Sequence, residues 1–539
     1  MLTLEDFIEK GYLPFELIPA LNTTSLSKVV NKLLPNLSGY PVKSSISCNY
    51  SIPKVKQIRR ELSIPNPLHQ LRLCKILYDN WSSIESFLSG SKLSKSTPLV
   101  KNPFFQSDEP RTFYREIKIA DIPIQRSLHS NSARYLLKTD LSRFFPTIYT
   151  HSIPWALHTK DAAKASIGRN GGPRSLYGNL IDEAVRNTQD KQTSGIQIGP
   201  DSSYIISEII MVAIDCELVK SLNSNKIKYK GFRFIDDYYL YFSKLSDAEY
   251  ALSALYGIVK DYELELNSYK TKIVELPDIL DSKWVLDLRG FSIESSDGKV
   301  QSENLIAYFS KAFELSKLFP EDSVLKYALN EIADVWVDEE YWSLYQSLIL
   351  KSIIAEPAIL PTATEIFLAY KKLKYPLNKV LIKETLYELI TYHSKHQHSH
   401  ELSWALWLCK SLNIRVTKDI ALVISNVEDC VVALIALDLK QLGLIKVLDT
   451  TKWVSFMNSQ ELYSSNWLLA YEAYCKGWLT SKDGSDYIKD DSFFNILKKN
   501  KVSFYDGSNQ VKAALVEQDK LDVKKTKEKR ERRRRKMGY

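Results

Sequence analysis

Asp236 and Asp237 stand side by side in Gly231-Phe232-Arg233-Phe234-Ile235-Asp236-Asp237-Tyr238-Tyr239-Leu240-Tyr241-Phe242, between two runs rich in aromatic and branched residues. Such runs read as a strand and a returning strand, with the acids in the tight turn between them. Adjacent carboxylates in an apolar hairpin repel unless a cation neutralises them. Asp-Asp is also ordinary turn chemistry, so the pair needs a third carboxylate before a metal is implied. Asp140 supplies it. Tyr135-Leu136-Leu137-Lys138-Thr139 is an apolar strand that delivers Asp140 at its end, ahead of a turn packed with aromatics. An acid at a strand end and an acid pair on a separate hairpin suit a two-metal phosphoryl-transfer site, in which hard oxygens hold two magnesium ions. One ion would lower the pKa of an attacking hydroxyl, and the other would stabilise a leaving pyrophosphate.

The elements around these acids follow from pattern. Bases at Lys54, Lys56, Arg59 and Arg60 lead an alternating strand that Pro65 and Pro67 must end, with a helix over 68–77 behind it. An Arg fork on such a strand matches phosphate geometry. Ser194-Gly195-Ile196-Gln197-Ile198-Gly199-Pro200 is a Gly-rich loop that runs into a helix over 203–222, and glycines let backbone approach a ligand closely. A helix over 246–262 follows the Asp-Asp hairpin and leads to Asn267-Ser268-Tyr269-Lys270-Thr271-Lys272, where a lysine could reach phosphates. The order strand, helix, hairpin, helix, strand predicts an α+β layer, an antiparallel sheet with helices on one side.

A chain of 539 residues is too long for one core and predicts two or three domains. Its 45% hydrophobic and 25% charged composition is that of a globular protein. From 524 to 539 there are ten Lys and Arg against two Glu, a net of +8 that equals the net charge of the whole chain. The first 523 residues are therefore neutral, and the basic character belongs to a tail able to hold nucleic acid by charge or to remain solvated. Six scattered cysteines form no Cys-x-x-Cys pair, which argues against a zinc ribbon or a disulfide framework and fits a reducing cytoplasm. No signal peptide and no apolar run of membrane-spanning length is visible, so no membrane partner is expected. His393-x-x-His396-x-His398-x-His400 lacks accompanying cysteines and reads as a polar helix-to-helix loop rather than a zinc site.

Five segments, taken together and in order, resemble the fingers and palm of reverse transcriptases: Arg60-x-Leu62-x-Ile64-Pro65, Asp140 with Phe144-Phe145, the 195–203 loop, the Asp236-Asp237 hairpin, and Asn267-x-x-Lys270-Thr271-Lys272. The resemblance covers about 50–293. It implies that Asp140, Asp236 and Asp237 bind two Mg2+ ions, that Arg60 meets the incoming triphosphate together with the Gln197 and Gly199 loop, and that Lys270 lies near the leaving group. Phe145 falls where the family places a bulky aromatic against the sugar; a ring there excludes a ribose 2′-hydroxyl, so deoxynucleotides are the expected substrates and DNA the product. Phe144 should point into the core.

Ile148-Tyr149-Thr150-His151-Ser152-Ile153-Pro154-Trp155-Ala156-Leu157-His158 is similar to the abortive-infection and other defence-associated reverse transcriptases of bacteria. That subgroup couples the polymerase to a HEAT-like helical domain, and helical apolar spacing at 305–318, 377–392, 402–412, 429–442 and 465–478 fits, although no strict repeat period is visible. The expected organisation is therefore fingers and palm over 1–293, an all-α HEAT-like domain over 294–515, and a basic tail over 516–539. Where many templated relatives carry Pro-Gln-Gly, this chain reads Gln197-Ile198-Gly199, and Ile198 offers no side-chain amide near a template. The resemblance thus implies an anti-phage DNA polymerase of the bacterial cytoplasm, a homo-oligomer working with little or no template and priming on one of its own tyrosines, to which the DNA would stay attached. The alternatives are a templated enzyme copying a noncoding RNA held by the tail, and an oligomeric scaffold with a vestigial polymerase half.

Overall fold

The alternating strand expected at the basic run is the second half of a hairpin. Strand β1 (Cys48–Val55) pairs antiparallel with β2 (Ile58–Ile64), with Ile52 opposite Arg60 and Cys48 opposite Ile64. β1 lacks the run of bases and carries Pro53, which hides its strand character in the sequence. Pro65 ends β2 as expected. Asn66 then caps the helix Pro67–Asp79 by accepting from the Leu68 N–H, with Pro67 at the first helical position, where no N–H is needed. The computed structural model describes residues 2–509 apart from 38, 41–43, 56–57, 101–110, 167–175, 292 and 294–301. The basic tail lies outside these residues, as does the start of the helical region expected at 294.

Two short strands, β3 (Leu99–Val100) and β4 (Phe113–Tyr114), pair in the segment that is loop-rich by sequence. The main sheet has four strands in the order β6-β7-β5-β8: β5 (Tyr135–Thr139), β6 (Lys230–Phe234), β7 (Asp237–Phe242) and β8 (Lys272–Glu275). All pairings are antiparallel. Side chains alternate across a strand, so the sheet has two distinct faces. Leu137, Tyr238, Leu240 and Phe242 face the main core, where the helices Asp201–Ser224 and Leu245–Asp261 pack. Leu136, Phe232, Tyr239 and Tyr241 form a separate small cluster on the other face. The first half of the Asp201–Ser224 helix is buried all round, which explains its continuous apolar run.

Beyond β8 the described residues form helices and no further strand, from Lys283–Arg289 to Ser492–Lys499. The helices expected there are present with ends shifted by a few residues, among them Lys379–Ser394, Ser399–Leu412, Cys430–Gln441 and Trp467–Cys475. The fold is thus mixed α and β, with a helical C-terminal region.

The helical region does not hang from a linker. One continuous hydrophobic cluster runs through both halves. The Trp467 indole N–H donates to Ile64 O at 3.0 Å, and Asn66 donates to Leu462 O at 2.8 Å. The Tyr50 hydroxyl lies 2.6 Å from that of Ser403. Leu21 bridges Tyr505, and Asp506 N–H donates to Ala20 O at 2.7 Å. These contacts tie the first fifty residues, the β1–β2 hairpin and the helices together.

Candidate active site

Asp140 and the acid pair meet because of sheet register. Thr139, the last residue of β5, lies opposite Tyr238, so Asp140 emerges beside Asp237 at the start of β7. Asp140 is 5% exposed. Its Oδ2 accepts from Lys270 Nζ, whereas its buried Oδ1 has no hydrogen-bond partner. Lys270 is delivered by a turn anchored on the same strand end: Asn267 N–H donates to Asp140 O at 2.8 Å, and the Thr139 and Thr271 hydroxyls are 2.6 Å apart.

The site is short of positive charge. Burial, then the neighbouring Asp237 and Asp140, push the Asp236 carboxyl up to about 6. Burial and Asp140 raise Asp237 as well. Burial lowers the Lys270 ammonium, but its bond to Asp140 and the charges of the aspartates outweigh this, so its pKa is raised and it is cationic. Lys270, bonded to Asp140, and Lys138, which acts on Asp237, are thus set against three carboxylates. A buried, unpartnered carboxylate oxygen and two acids that resist ionisation fit a divalent-cation site of hard oxygen donors, and Asp140, Asp236 and Asp237 are the residues that would hold the ions.

Asp236 sits in a strained turn. Ile235, a β-branched residue, has φ +57°, in the left-handed region that such side chains avoid at a cost of about 1–3 kcal/mol. The turn is held from both sides. Ile235 N–H donates to Ser96 Oγ at 2.7 Å, and Arg233 Nη1 donates to Ile235 O at 2.6 Å. The Arg233 guanidinium is fully buried and forks onto Glu208, at 3.0 Å to each oxygen, and onto Asp215, at 2.9–3.0 Å. Ser96 Oγ in turn donates to Glu208 at 2.7 Å, and the Tyr238 hydroxyl donates to Asp215 at 2.7 Å. Residues 93–95 also hydrogen-bond to Arg233 main chain, covering the outer edge of β6.

Sequence reasoning missed this network. Its signal was present: Glu208 and Asp215 lie seven residues apart, two turns on one face of an otherwise apolar helix, and Arg233 occupies an inward position between Phe232 and Phe234.

The remaining expected site residues are placed unevenly. Phe144 is buried, and Phe145 is half-buried beside it with ring centroids 5.4 Å apart. Arg60 is exposed on β2, while the adjacent Arg59 faces the other way and pairs with Glu401 of the helical region. Gln197 is buried, and its amide donates to Ser47 Oγ and to Thr188 O. Gly199 has φ +123°, and a Cβ there would fall 2.5 Å from Pro14. The Gln197 amide is thus committed inside the protein, and the empty volume beside Gly199 is taken by Pro14. Ile198 O accepts from Ser63 N–H of β2 at 3.0 Å, and Gly195 and Ile196 N–H donate to Ile148 and Phe145 carbonyls, so this loop braces the strand and the Phe145 turn.

The histidine run is not a simple polar loop either. His393 ends one helix, His400 lies within the next, and both are buried.

Residues 72–304 match the family model described as "Reverse transcriptase (RNA-dependent DNA polymerase)". That span includes Asp140, Phe145, Asp236, Asp237 and Lys270 and leaves out Arg60. No curated protein matches the sequence. Among solved structures, telomerase from Candida albicans in complex with a fragment of telomeric RNA is similar at 14% identity and TM-score 0.31, over 72% of this chain and 66% of that chain. Apo telomerase from Candida tropicalis is similar at 13% identity and TM-score 0.30, over 72% of each chain. The chain thus spans about two thirds to three quarters of these structures.

Proposed function

We propose that this chain, whose residues 72–304 carry a reverse transcriptase domain, is a nucleotidyltransferase that extends a 3′ or other hydroxyl end with deoxynucleotides. A domain of this family implies polymerase chemistry, and the observation that carries the reading is the Asp140, Asp236 and Asp237 cluster with Lys270 bonded to it. Mg2+ held by these three carboxylates would activate the attacking hydroxyl and stabilise the pyrophosphate. The protein's own groups do the rest. Lys270 holds Asp140 through Oδ2 and leaves Oδ1 free for ligation. The Ile235 turn, fixed by Ser96 and Arg233, sets where Asp236 points. A half-buried Phe145 ring would select deoxyribose by leaving no room for a 2′-hydroxyl. Arg60, exposed on β2, is free to meet a triphosphate.

The finer reading is synthesis with little or no template, priming on a tyrosine of the chain, and a role in anti-phage defence by an oligomer whose helical half is HEAT-like. The absence of a side-chain amide at Ile198 and the inward commitment of Gln197 support the untemplated part. Tyr269, fully exposed and adjacent to Lys270 in the chain, is one candidate for the priming tyrosine. The test is incubation of the purified chain with Mg2+ and labelled deoxynucleotides without template, followed by denaturing electrophoresis. Label should migrate with the protein. A second reading, templated copying of an RNA, is favoured by the family's description as RNA-dependent and by the basic tail. Incorporation that starts only when RNA is added, with product complementary to it, would establish that reading instead. Phage resistance that survives Asp236→Ala with Asp237→Ala would favour the scaffold alternative.

A further inference from the structure

Among the described residues, the three metal-competent side chains whose ligand atoms all lie within 4.8 Å of one another are His393, His398 and Glu401. They are far from the aspartates in sequence and belong to the helical region. His393 Nδ1 and His398 Nδ1 are 2.8 Å apart, and Glu401 Oε1 is 3.9 Å from each. A triangle with these sides has its circumcentre about 2.1 Å from every corner, which is the zinc–nitrogen and zinc–oxygen bond length. One point therefore lies at bonding distance from all three ligand atoms.

We propose that His393, His398 and Glu401 form a binding site for a divalent transition metal of the zinc class, at the junction between the helical region and the β1–β2 hairpin. The donor set, two imidazoles and a carboxylate, is one that zinc uses with a fourth position left open. Local structure presets it. His393 closes the helix Lys379–Ser394, His398 precedes the helix Ser399–Leu412, and Glu401 lies in the first turn of that helix. The connection is pinned by His396 and His398 N–H groups donating to His393 O. Without an ion, two ring nitrogens facing each other at 2.8 Å require one to carry the proton. With an ion, both Nδ1 atoms would act as acceptors and the ring protons would sit on Nε2.

Arg59 completes the arrangement. Its guanidinium donates to both Glu401 oxygens, at 2.5 and 2.8 Å, and to Ser51. A carboxylate oxygen has two lone pairs, so Oε1 can accept from Arg59 and still ligate, and ligating carboxylates are commonly oriented by such a hydrogen bond. The proposed ion would in this way be coupled through Glu401 and Arg59 to β2, the strand that carries Arg60. His396 stacks on His398 at the solvent side, and His400 is buried against Tyr50, so neither belongs to the triangle.

The test uses the full chain, stripped with a chelator and titrated with Zn2+ by calorimetry and with Co2+ by visible absorption. The expected result is one tight equivalent, with cobalt ligand-field bands of a low-coordinate nitrogen and oxygen site. His393→Ala with His398→Ala should remove those bands and weaken that equivalent by roughly 100-fold, leaving weaker binding at the aspartates in place. His398→Ala alone, at a partly exposed position outside the helices, gives the same readout if the double variant melts early; a loss of about 10-fold or more is expected. Absence of a tight equivalent in the wild-type chain, or its persistence in these variants, would overturn the site.

Discussion

Two sets of carboxylates flank the hairpin of β6 and β7 and face opposite electrostatic situations. On the outer side Asp236 and Asp237, with Asp140, have only Lys270 bonded to them and Lys138 nearby, and two of the three have their pKa raised by burial and mutual repulsion. On its inner side Glu208 and Asp215 share Arg233, whose guanidinium donors are engaged by those two acids and the Ile235 carbonyl. The inner set is complete and needs nothing from solution. The outer set is incomplete, and its deficit is the physical argument for a cation. Buried ion pairs are poor evidence of stability in general, but here the pair fixes a strained turn next to the reacting groups.

The largest expected effect comes from removing the outer charges. Asp236→Ala with Asp237→Ala should lower deoxynucleotide incorporation by about 10^3-fold or more while the fold persists, measured by labelled-nucleotide incorporation alongside a thermal melt. Breaking the inner set should do the reverse. Arg233→Met leaves Glu208 and Asp215 buried without a counter-ion and should cost about 3–5 kcal/mol in denaturant unfolding, with activity lost through the fold. A variant that kept full stability would show that the inner set is not the support described above.

A smaller effect of opposite sign separates the two sets. The Asp236 carboxyl, ordinarily near 3.8, stands at about 6 in the folded chain, so the folded state binds its proton more tightly than the unfolded state. Its ionisation therefore opposes folding as pH rises between those values. In chelator, Asp236→Asn should stabilise the protein by about 1–3 kcal/mol above pH 6 and by nothing below pH 4. Divalent cation should erase the difference by stabilising the wild-type chain. The smallest effect belongs to Ser96→Ala, which leaves the Ile235 N–H unsatisfied and should cost about 1–2 kcal/mol, with a fall in kcat larger than any change in KM if the turn aims Asp236.

The clustered acids were legible because each lay in a strong local pattern: an apolar strand ending in Asp140, and two β-rich runs around Asp236 and Asp237. Helices of the second half were legible from apolar spacing, with ends uncertain by a few residues. The surroundings of Gln197 and Gly199 were less legible, because a glycine declares only that something comes close. Whether that is a ligand or Pro14 depends on where the first fifty residues pack. Arg59 and Arg60 are chemically alike and adjacent, and only the alternation of β2 together with Glu401, more than three hundred residues away, sends one to the helical region and the other to solvent.

By itself the sequence determined the chemistry available: three carboxylates at strand and turn positions, a lysine on the following turn, and a neutral body with a basic end. Only the tertiary structure decided which charges are satisfied. Neutralisation is a matter of what lies within a few ångströms, and Arg233 finds Glu208 and Asp215, and Arg59 finds Glu401, through packing of distant segments that no local pattern encodes.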